Sequence, residues 1–389
     1  MSAQRCDVAV VGLGAFGSAA LMHLAKSGMK VIGIDRFSPP HEMGSSHGET
    51  RVTREAIAEG GEYINCALRS HELWREIESQ AQVSIFTACG GLLIDASPNS
   101  TIHGVTGFGR ISAELARQRG IAHEVLSVGE AKRRFPGFAI NEEAFIYFEP
   151  GAGFVRPEVA IEAQLRLAQQ SGAVVHNNTP VLAIERLPGG GVKIITPQTV
   201  IEAGSCLLTA GAWISQLLPG KAGSIFTVTR QVLHWLPIKS NAYHADSSPV
   251  FVWCYGESQH GHVYGFPSLD GATVKIATEL FTEVSSPELT QRVVSAEEQA
   301  KFYQEHIVGR FTDVSGPPVR SKVCLYTEAP QGRFVIERHP DIAEVLVASC
   351  CSGHGFKHSA AVGEALATTL RGVTPTIDLG VFRRAEWGN

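Results

Sequence analysis

Three glycines, Gly12, Gly14 and Gly17, follow the apolar run from Val8 to Val11 and precede a helix-forming stretch that reaches about Ser27. In a strand-turn-helix unit the first glycine permits a tight turn, the second lets a pyrophosphate approach the backbone, and the third lets helix and strand pack closely. The helix start then offers free N–H groups and partial positive charge. Asp35 ends the next apolar run, which begins at Lys30, and is the residue type that takes ribose hydroxyls. A structural glycine turn with a surface Asp is the plain alternative, and the pattern alone leaves FAD and NAD both open.

Other chemistry-bearing residues say less by themselves. Gly44-Ser45-Ser46-His47-Gly48 has the G-x-S-x-G form of a hydrolase nucleophile, but Pro39-Pro40-His41-Glu42 stands where a strand is required and no helix start follows at once. The hydrolase reading is rejected. Arg51 and Arg54 suit a carboxylate or an anionic ring system, although on spacing alone a solvated basic face explains them as well. Lys275 falls inside an apolar strand pattern, where a cation is costly unless paired or functional; more often such a lysine reaches solvent from the polar face. Cys324, in Lys322-Val323-Cys324-Leu325-Tyr326, reads as a packed core thiol.

The elements that must position these residues begin with a βαβ unit from Asp7 to Asp35. A loop from Phe37 to Arg51, rich in Pro, Gly, Ser and His, leads to a helix expected from about Gly61 to Glu78; a loop of that length in a compact domain usually has a function. A helix-then-strand passage runs from Pro157 to Val175. Thr179 to Glu185 and Val192 to Ile195, split by Leu187-Pro188-Gly189-Gly190-Gly191, predict a hairpin. Ser205 to Thr209 is a buried strand entering the turn at Gly211, and Glu344 to Ser349 is a strand followed by Ser352-Gly353-His354-Gly355 and a helix from Lys357 to Leu370. Three strand-glycine-helix junctions predict one α/β nucleotide-binding domain assembled from residues 1–85, 146–215 and 321–389. Residues 86–145 and 216–320, with alternating patterns such as His262 to Phe266 and Ala272 to Ile276, predict a mostly antiparallel substrate domain.

Composition narrows the partners. In 389 residues, 44% hydrophobic and 18% charged describe an ordinary globular protein rather than a disordered one. A formal charge of -5 without a run of like charge argues against nucleic acid and anionic membrane. No stretch has the apolar length of a membrane helix, and the run near the start is too short for a signal-peptide core. The 8 cysteines show no C-x-x-C and no zinc spacing, so no metal centre is expected and a reducing cytoplasm is the expected location.

Taken together, Gly12-x-Gly14-x-x-Gly17, Gly44-Ser45-Ser46-His47-Gly48-Glu49-Thr50-Arg51, Cys324-Leu325-Tyr326-Thr327 and Ser352-Gly353-His354-Gly355-Phe356-Lys357 resemble the monomeric sarcosine oxidase family, which includes N-methyltryptophan and pipecolate oxidases. The motifs occur in the same order from the first strand to the last helix, and the last of them is far more specific than the glycine fingerprint. The resemblance implies a glutathione-reductase-like, Rossmann-type FAD domain and a sheet-based substrate domain. It implies FAD bound covalently through Cys324, and a monomer that oxidises a small secondary amino acid while reducing O2 to hydrogen peroxide.

It also assigns roles. Arg54 and Lys357 clamp the substrate carboxylate, Tyr264 and Tyr326 shape the pocket, and Lys275 matches the lysine that helps oxygen react with reduced flavin. His47, Thr50 and Arg51 fall around the isoalloxazine ring. Arg36, Ser45, Ser46, Val181, Gly211, Gly353, His354, Gly355 and Lys357 are counted with Asp35 and the three glycines as cofactor residues. Reduction loads negative charge on one edge of the flavin, which nearby cations and the helix start after Gly355 would stabilise. Glu279 stands four residues after Lys275, where many relatives carry a histidine; a carboxylate there lowers the positive charge of the pocket and directs the expectation from sarcosine toward a substrate with an extra cation or hydroxyl. The competing expectations are a dehydrogenase that hands electrons to a carrier and, in another class, a dinucleotide-binding protein without turnover.

Overall fold

The structure is a computed structural model that describes residues 3–257, 261–284 and 286–383. Its first sheet is built on strand β1 (Gln4–Val11), helix α1 (Ala15–Lys26) and strand β2 (Val31–Ile34), with β1 and β2 parallel. Val174–His176 extends the sheet beyond β2, and Val200–Leu208 lies parallel to β1 on the other side. That long strand is shared: its first half pairs with the hairpin Ala183–Arg186 and Val192–Ile195, and its second half pairs in parallel with Val345–Ser349. The three expected strand-glycine-helix junctions therefore lie side by side, with their turns at one edge. Apolar residues on both faces of β1, among them Val8, Ala9, Val10 and Val11, are buried because helices cover one face and the antiparallel hairpin side covers the other.

Helix α1 is rich in small residues on the side facing Ser359–Leu370. A Cβ on Gly363 would lie 2.4 Å from the Ala19 Cβ, so the two backbones touch and only glycine fits there.

The second sheet runs in the order Arg320–Glu328, Thr227–Pro237, Thr273–Ala277, His262–Phe266, Val250–Cys254, Gly91–Asp95, Phe145–Glu149, Glu124–Leu126. Every step is antiparallel except that between Val250–Cys254 and Gly91–Asp95. Alternate residues, including Leu92, Ile94, Phe251, Trp253, Val274 and Ile276, form its own core. Phe145–Glu149 and Arg320–Glu328 hydrogen-bond into this sheet, although the limits expected from sequence put nearly all of both segments with the nucleotide-binding part. A small sheet of Arg51–Thr53, Gly153–Val155 and Phe86–Thr87 bridges the halves. Among the described residues no helix is long and apolar enough to cross a membrane.

Candidate active site

A cavity of about 370 Å³ runs along the edge of the first sheet where the three junctions meet. Gly12, Gly14, Asp35, Arg36, Ser45, Ser46, Arg51, Val181, Gly211, Gly353 and Gly355 line it, together with Thr209, Trp213, Tyr326 and Phe356. The glycines differ in what surrounds them. A Cβ on Gly12 would lie 2.4 Å from the Thr209 carbonyl oxygen, and one on Gly17 would lie 1.8 Å from the Gly12 carbonyl oxygen, so both serve close packing. A Cβ on Gly14 would meet nothing within 4 Å, leaving bare backbone facing the cavity at the start of α1. Open backbone at a helix N-terminus is the kind of surface that accepts a phosphate. Asp35 lines the cavity, and its carboxylate also fixes the turn by accepting from the Leu13 N–H at 2.7 Å and the Phe37 N–H at 2.9 Å.

A second cavity of about 90 Å³ shares Arg51, Tyr326, Gly353 and Phe356 with the first and extends into the second sheet. Arg54, Lys357, Tyr264, Glu279 and His354 line it, as do Glu59, His103, Phe108 and Val252. Arg54 and Lys357 meet on one carboxylate, that of Glu59: Arg54 Nη2 donates to both oxygens at 3.0 and 2.9 Å, and Lys357 Nζ donates at 3.2 Å. Burial would raise the Glu59 pKa, but the two cations hold it well below the ordinary carboxylate value. Burial pushes Lys357 down to about 8, against the pull of Glu59.

His103 Nε2 is 2.6 Å from Glu279 Oε1, and the His262 Nε2 is 3.7 Å from Glu279 Oε2. Burial opposes charge on Glu279, yet His103, by charge and hydrogen bond, brings its pKa down to about 2, with help from His262 and His354. His103 is raised in turn: burial lowers it, and Glu279 more than restores it. The Tyr264 and Tyr326 hydroxyls are 3.3 Å apart.

The loop from Gly44 to Arg51 is held from two sides. Glu158, at the start of the helix Pro157–Gln170, accepts from the N–H groups of Gly48 and Glu49 at 2.6 and 3.1 Å. Lys275 Nζ donates to the carbonyls of Gly48 and Thr50 at 2.7 and 2.8 Å and lies 3.9 Å from the Phe266 ring centroid. Lys275 is buried, not solvent-reaching; burial and then Arg51 depress its pKa well below the ordinary value. Arg51 in turn donates to the carbonyls of Ser45 and Thr50.

Not every expected residue reaches a cavity wall. Gly17, His47, Thr50, Lys275 and Cys324 stand behind it. His47 is buried, neither ring nitrogen has a hydrogen-bond partner among the described residues, and burial followed by Arg51 lowers its pKa to about 3. Cys324 packs among Leu233, Trp235 and Ala277; burial raises its thiol pKa, opposed by Arg51, Lys275 and Arg292. Sequence reasoning missed Glu59 and His103. Glu59 lies in a patternless loop before the helix Ile64–Ala81, and His103 tips a hairpin of two-residue strands, Thr101–Ile102 and Val105–Thr106. The adjoining Gly104 is the one local cue to that hairpin.

This is the build of a dinucleotide-dependent redox enzyme, with a phosphate-cradling cleft that opens on a cation-lined pocket. Residues 7–369 match the family model described as FAD dependent oxidoreductase, and the chain belongs to that family. It is 33% identical over 381 residues to a monomeric sarcosine oxidase of Streptomyces avermitilis, covering 97% of this chain and 96% of that protein. It is 29% identical to an N-methyl-L-tryptophan oxidase of Yersinia pestis, covering 98% and 99% of the two chains. In fold it is similar to NikD, an amino acid oxidase essential for nikkomycin biosynthesis, with a TM-score of 0.82 at 19% identity over 99% of each chain. The α/β fold with its mostly antiparallel second sheet is thus that of the family, and FAD is the dinucleotide for the long cavity. Gly12, Gly14, Gly211, Gly353 and Gly355 supply walls close enough for such a group.

Proposed function

We propose that this chain is an oxidase of a small secondary amino acid, N-methylated or cyclic, that converts its C–N bond to an imine and reduces O2 to hydrogen peroxide. The observation that carries the reading is the second cavity, where Arg54 and Lys357 already close on a carboxylate and the open side faces the FAD cleft. Bound FAD would supply the two-electron acceptor. The chain's own residues do the rest. The substrate carboxylate takes the place of Glu59 between Arg54 and Lys357, which orients the α-carbon toward the shared wall of Arg51, Tyr326 and Gly353. Phe108 and Val252 exclude water, and Tyr264 and Tyr326 close one side. Arg51 and the turn from Gly353 to Gly355 put positive charge and N–H groups beside the cleft, where charge accumulates on reduction. We assign Lys275 to oxygen, as the buried amine that stabilises developing negative charge on it.

Cys324 is the residue we propose as the covalent anchor. It lies two residues before Tyr326 on one strand, so both side chains project to the same face; burial raises its thiol pKa, and Arg51, Lys275 and Arg292 partly offset that rise. We further propose a monomer working in the cytoplasm, with its division into nucleotide and substrate domains following the two sheets.

The decisive experiment screens N-methyl and cyclic amino acids for oxygen uptake and peroxide with purified protein. Substrate-dependent bleaching with peroxide release is expected; dye reduction without peroxide would turn the reading to a dehydrogenase, and colourless protein would end it. Lys275→Met should leave anaerobic bleaching in place but slow reoxidation by O2 by roughly 10²-fold. After acid precipitation the yellow colour should remain in the pellet, and Cys324→Ala should release it.

A further inference from the structure

His103 sits at the tip of a tight hairpin with Gly104; both have positive φ, 51° and 74°, as a two-residue turn of this hand requires. Left-handed backbone is uncommon for a residue with a side chain and persists where the surroundings hold it. Here the hairpin delivers the imidazole into the small cavity, between two carboxylates. One ring nitrogen is 2.6 Å from Glu279, and the other is 3.9 Å from Glu59 Oε1, the oxygen shared by Arg54 and Lys357. That second nitrogen is buried and has no hydrogen-bond partner among the described residues.

The spacing is informative if Glu59 marks where a substrate carboxylate goes, so this inference rests on the reading just proposed. The carboxylate position and Glu279 then flank the His103 ring, 3.9 and 2.6 Å from its two nitrogens, so a ligand that extends across the cavity from the clamp meets Glu279 at its far end. Glu279 also lies at the seam of the two cavities: its Oε1 is 2.9 Å from where a Cβ of Gly353 would be, and Gly353 lines both. The reacting C–N bond has to lie at that seam.

We infer that Glu279, oriented by His103, is the subsite for the cationic nitrogen of the substrate, so that the pocket selects zwitterionic amino acids over carboxylic and hydroxy acids of the same shape. A carboxylate has about four acceptor sites and His103 uses one, which leaves acceptors for the N–H of a protonated amine. The subsite is a specificity device: Arg54 and Lys357 attract any carboxylate, and Glu279 distinguishes which of them also carries a cation.

The test compares N,N-dimethylglycine with its carbon isostere, 3-methylbutanoate, which keeps the carboxylate and lacks the cationic nitrogen, by calorimetric titration of the anaerobic holoprotein, with flavin absorbance recorded to confirm that it stays oxidised. Wild type should bind dimethylglycine at least about tenfold more tightly, a preference worth ~1.4 kcal/mol. Glu279→Gln should remove most of that preference by weakening dimethylglycine, while 3-methylbutanoate binds as before or better; Glu279→His, which replaces the carboxylate with a ring able to carry positive charge, should favour 3-methylbutanoate. A preference absent in wild type, or unchanged in either variant that still binds 3-methylbutanoate, overturns the inference. Failure of 3-methylbutanoate to bind wild type while dimethylglycine binds would be the same preference at its limit and would support the subsite, whereas failure of both would remove the clamp and this subsite together.

Discussion

Lys357 carries two opposed consequences of burial. Its pKa is pushed down to about 8, chiefly by desolvation, so it holds a proton at neutral pH and gives it up well before an exposed lysine would. The clamp therefore loses one charge as pH rises through about 8, and affinity for a carboxylate ligand should fall by an amount approaching tenfold per pH unit above that point. Stability should move the other way. Between about 8 and the ordinary value of 10.5 the unfolded chain binds more protons at this position than the folded one, so folding gains from this group as pH rises. Titrating 3-methylbutanoate from pH 7 to 9.5 reads the first effect and melting the protein over the same range reads the second, and Lys357→Arg should flatten the affinity curve because a guanidinium does not deprotonate in this range. A flat curve in wild type would show that the clamp does not depend on this ammonium.

At the scale of elements, the turn between β1 and α1 makes a contrast between glycines that spacing alone cannot make. Gly12→Ala puts a Cβ against the Thr209 carbonyl at a φ of +90°, and should cost at least ~2 kcal/mol of stability. Gly14→Ala meets open space and has an allowed backbone conformation, so the apoprotein should melt within a few degrees of wild type while its FAD content collapses, the new methyl group taking the cradle. Thermal melts read alongside the absorbance of extracted flavin would decide; full FAD content in Gly14→Ala would mean that the phosphate lies elsewhere. The parallel βαβ core was legible because its signals are local: an apolar run, glycines at a turn, then a helix. Arg320–Glu328 reads equally well as a strand, but its partner Thr227–Pro237 is far away in sequence, and nothing in an apolar alternation names the sheet it joins. The same limit hid half of the pocket. Arg54 and Lys357 were reachable through motifs, whereas Glu59 and His103 act through contacts with residues remote in the chain. Lys275 was misjudged by the periodicity argument for a related reason, since its strand is covered on both faces and has no polar side to reach from.

For the molecule as a whole, the cleft is a seam between the two sheets, and one carboxylate stitches its rim. Glu288, in the turn Pro287–Leu289, accepts from Arg36 Nη1 at 2.6 Å, from Trp213 Nε1 at 2.7 Å and from Gln216 Nε2 at 3.2 Å. All three donors line the long cavity, while the turn belongs to the segment between the second-sheet strands Thr273–Ala277 and Arg320–Glu328. A ligand lying along the cleft gains from every contact that keeps the rim closed, and by linkage its binding stabilises the closed form. Glu288 is half exposed, so salt screens the interaction and its worth is modest. Glu288→Gln keeps the shape and part of the hydrogen bonding but drops the charge opposite Arg36. In a Cys324→Ala background, where retention depends on non-covalent contacts, it should hasten FAD release several-fold at low salt and lower the melting temperature of the holoprotein by no more than about 3 °C. Both differences should shrink in 1 M salt, where the screening length falls to about 3 Å and exposed ion pairs are weakened. Release rates measured by the rise of flavin fluorescence would check this: equal rates at low salt would show that the rim is held by packing of Trp213 and Phe37 rather than by charge.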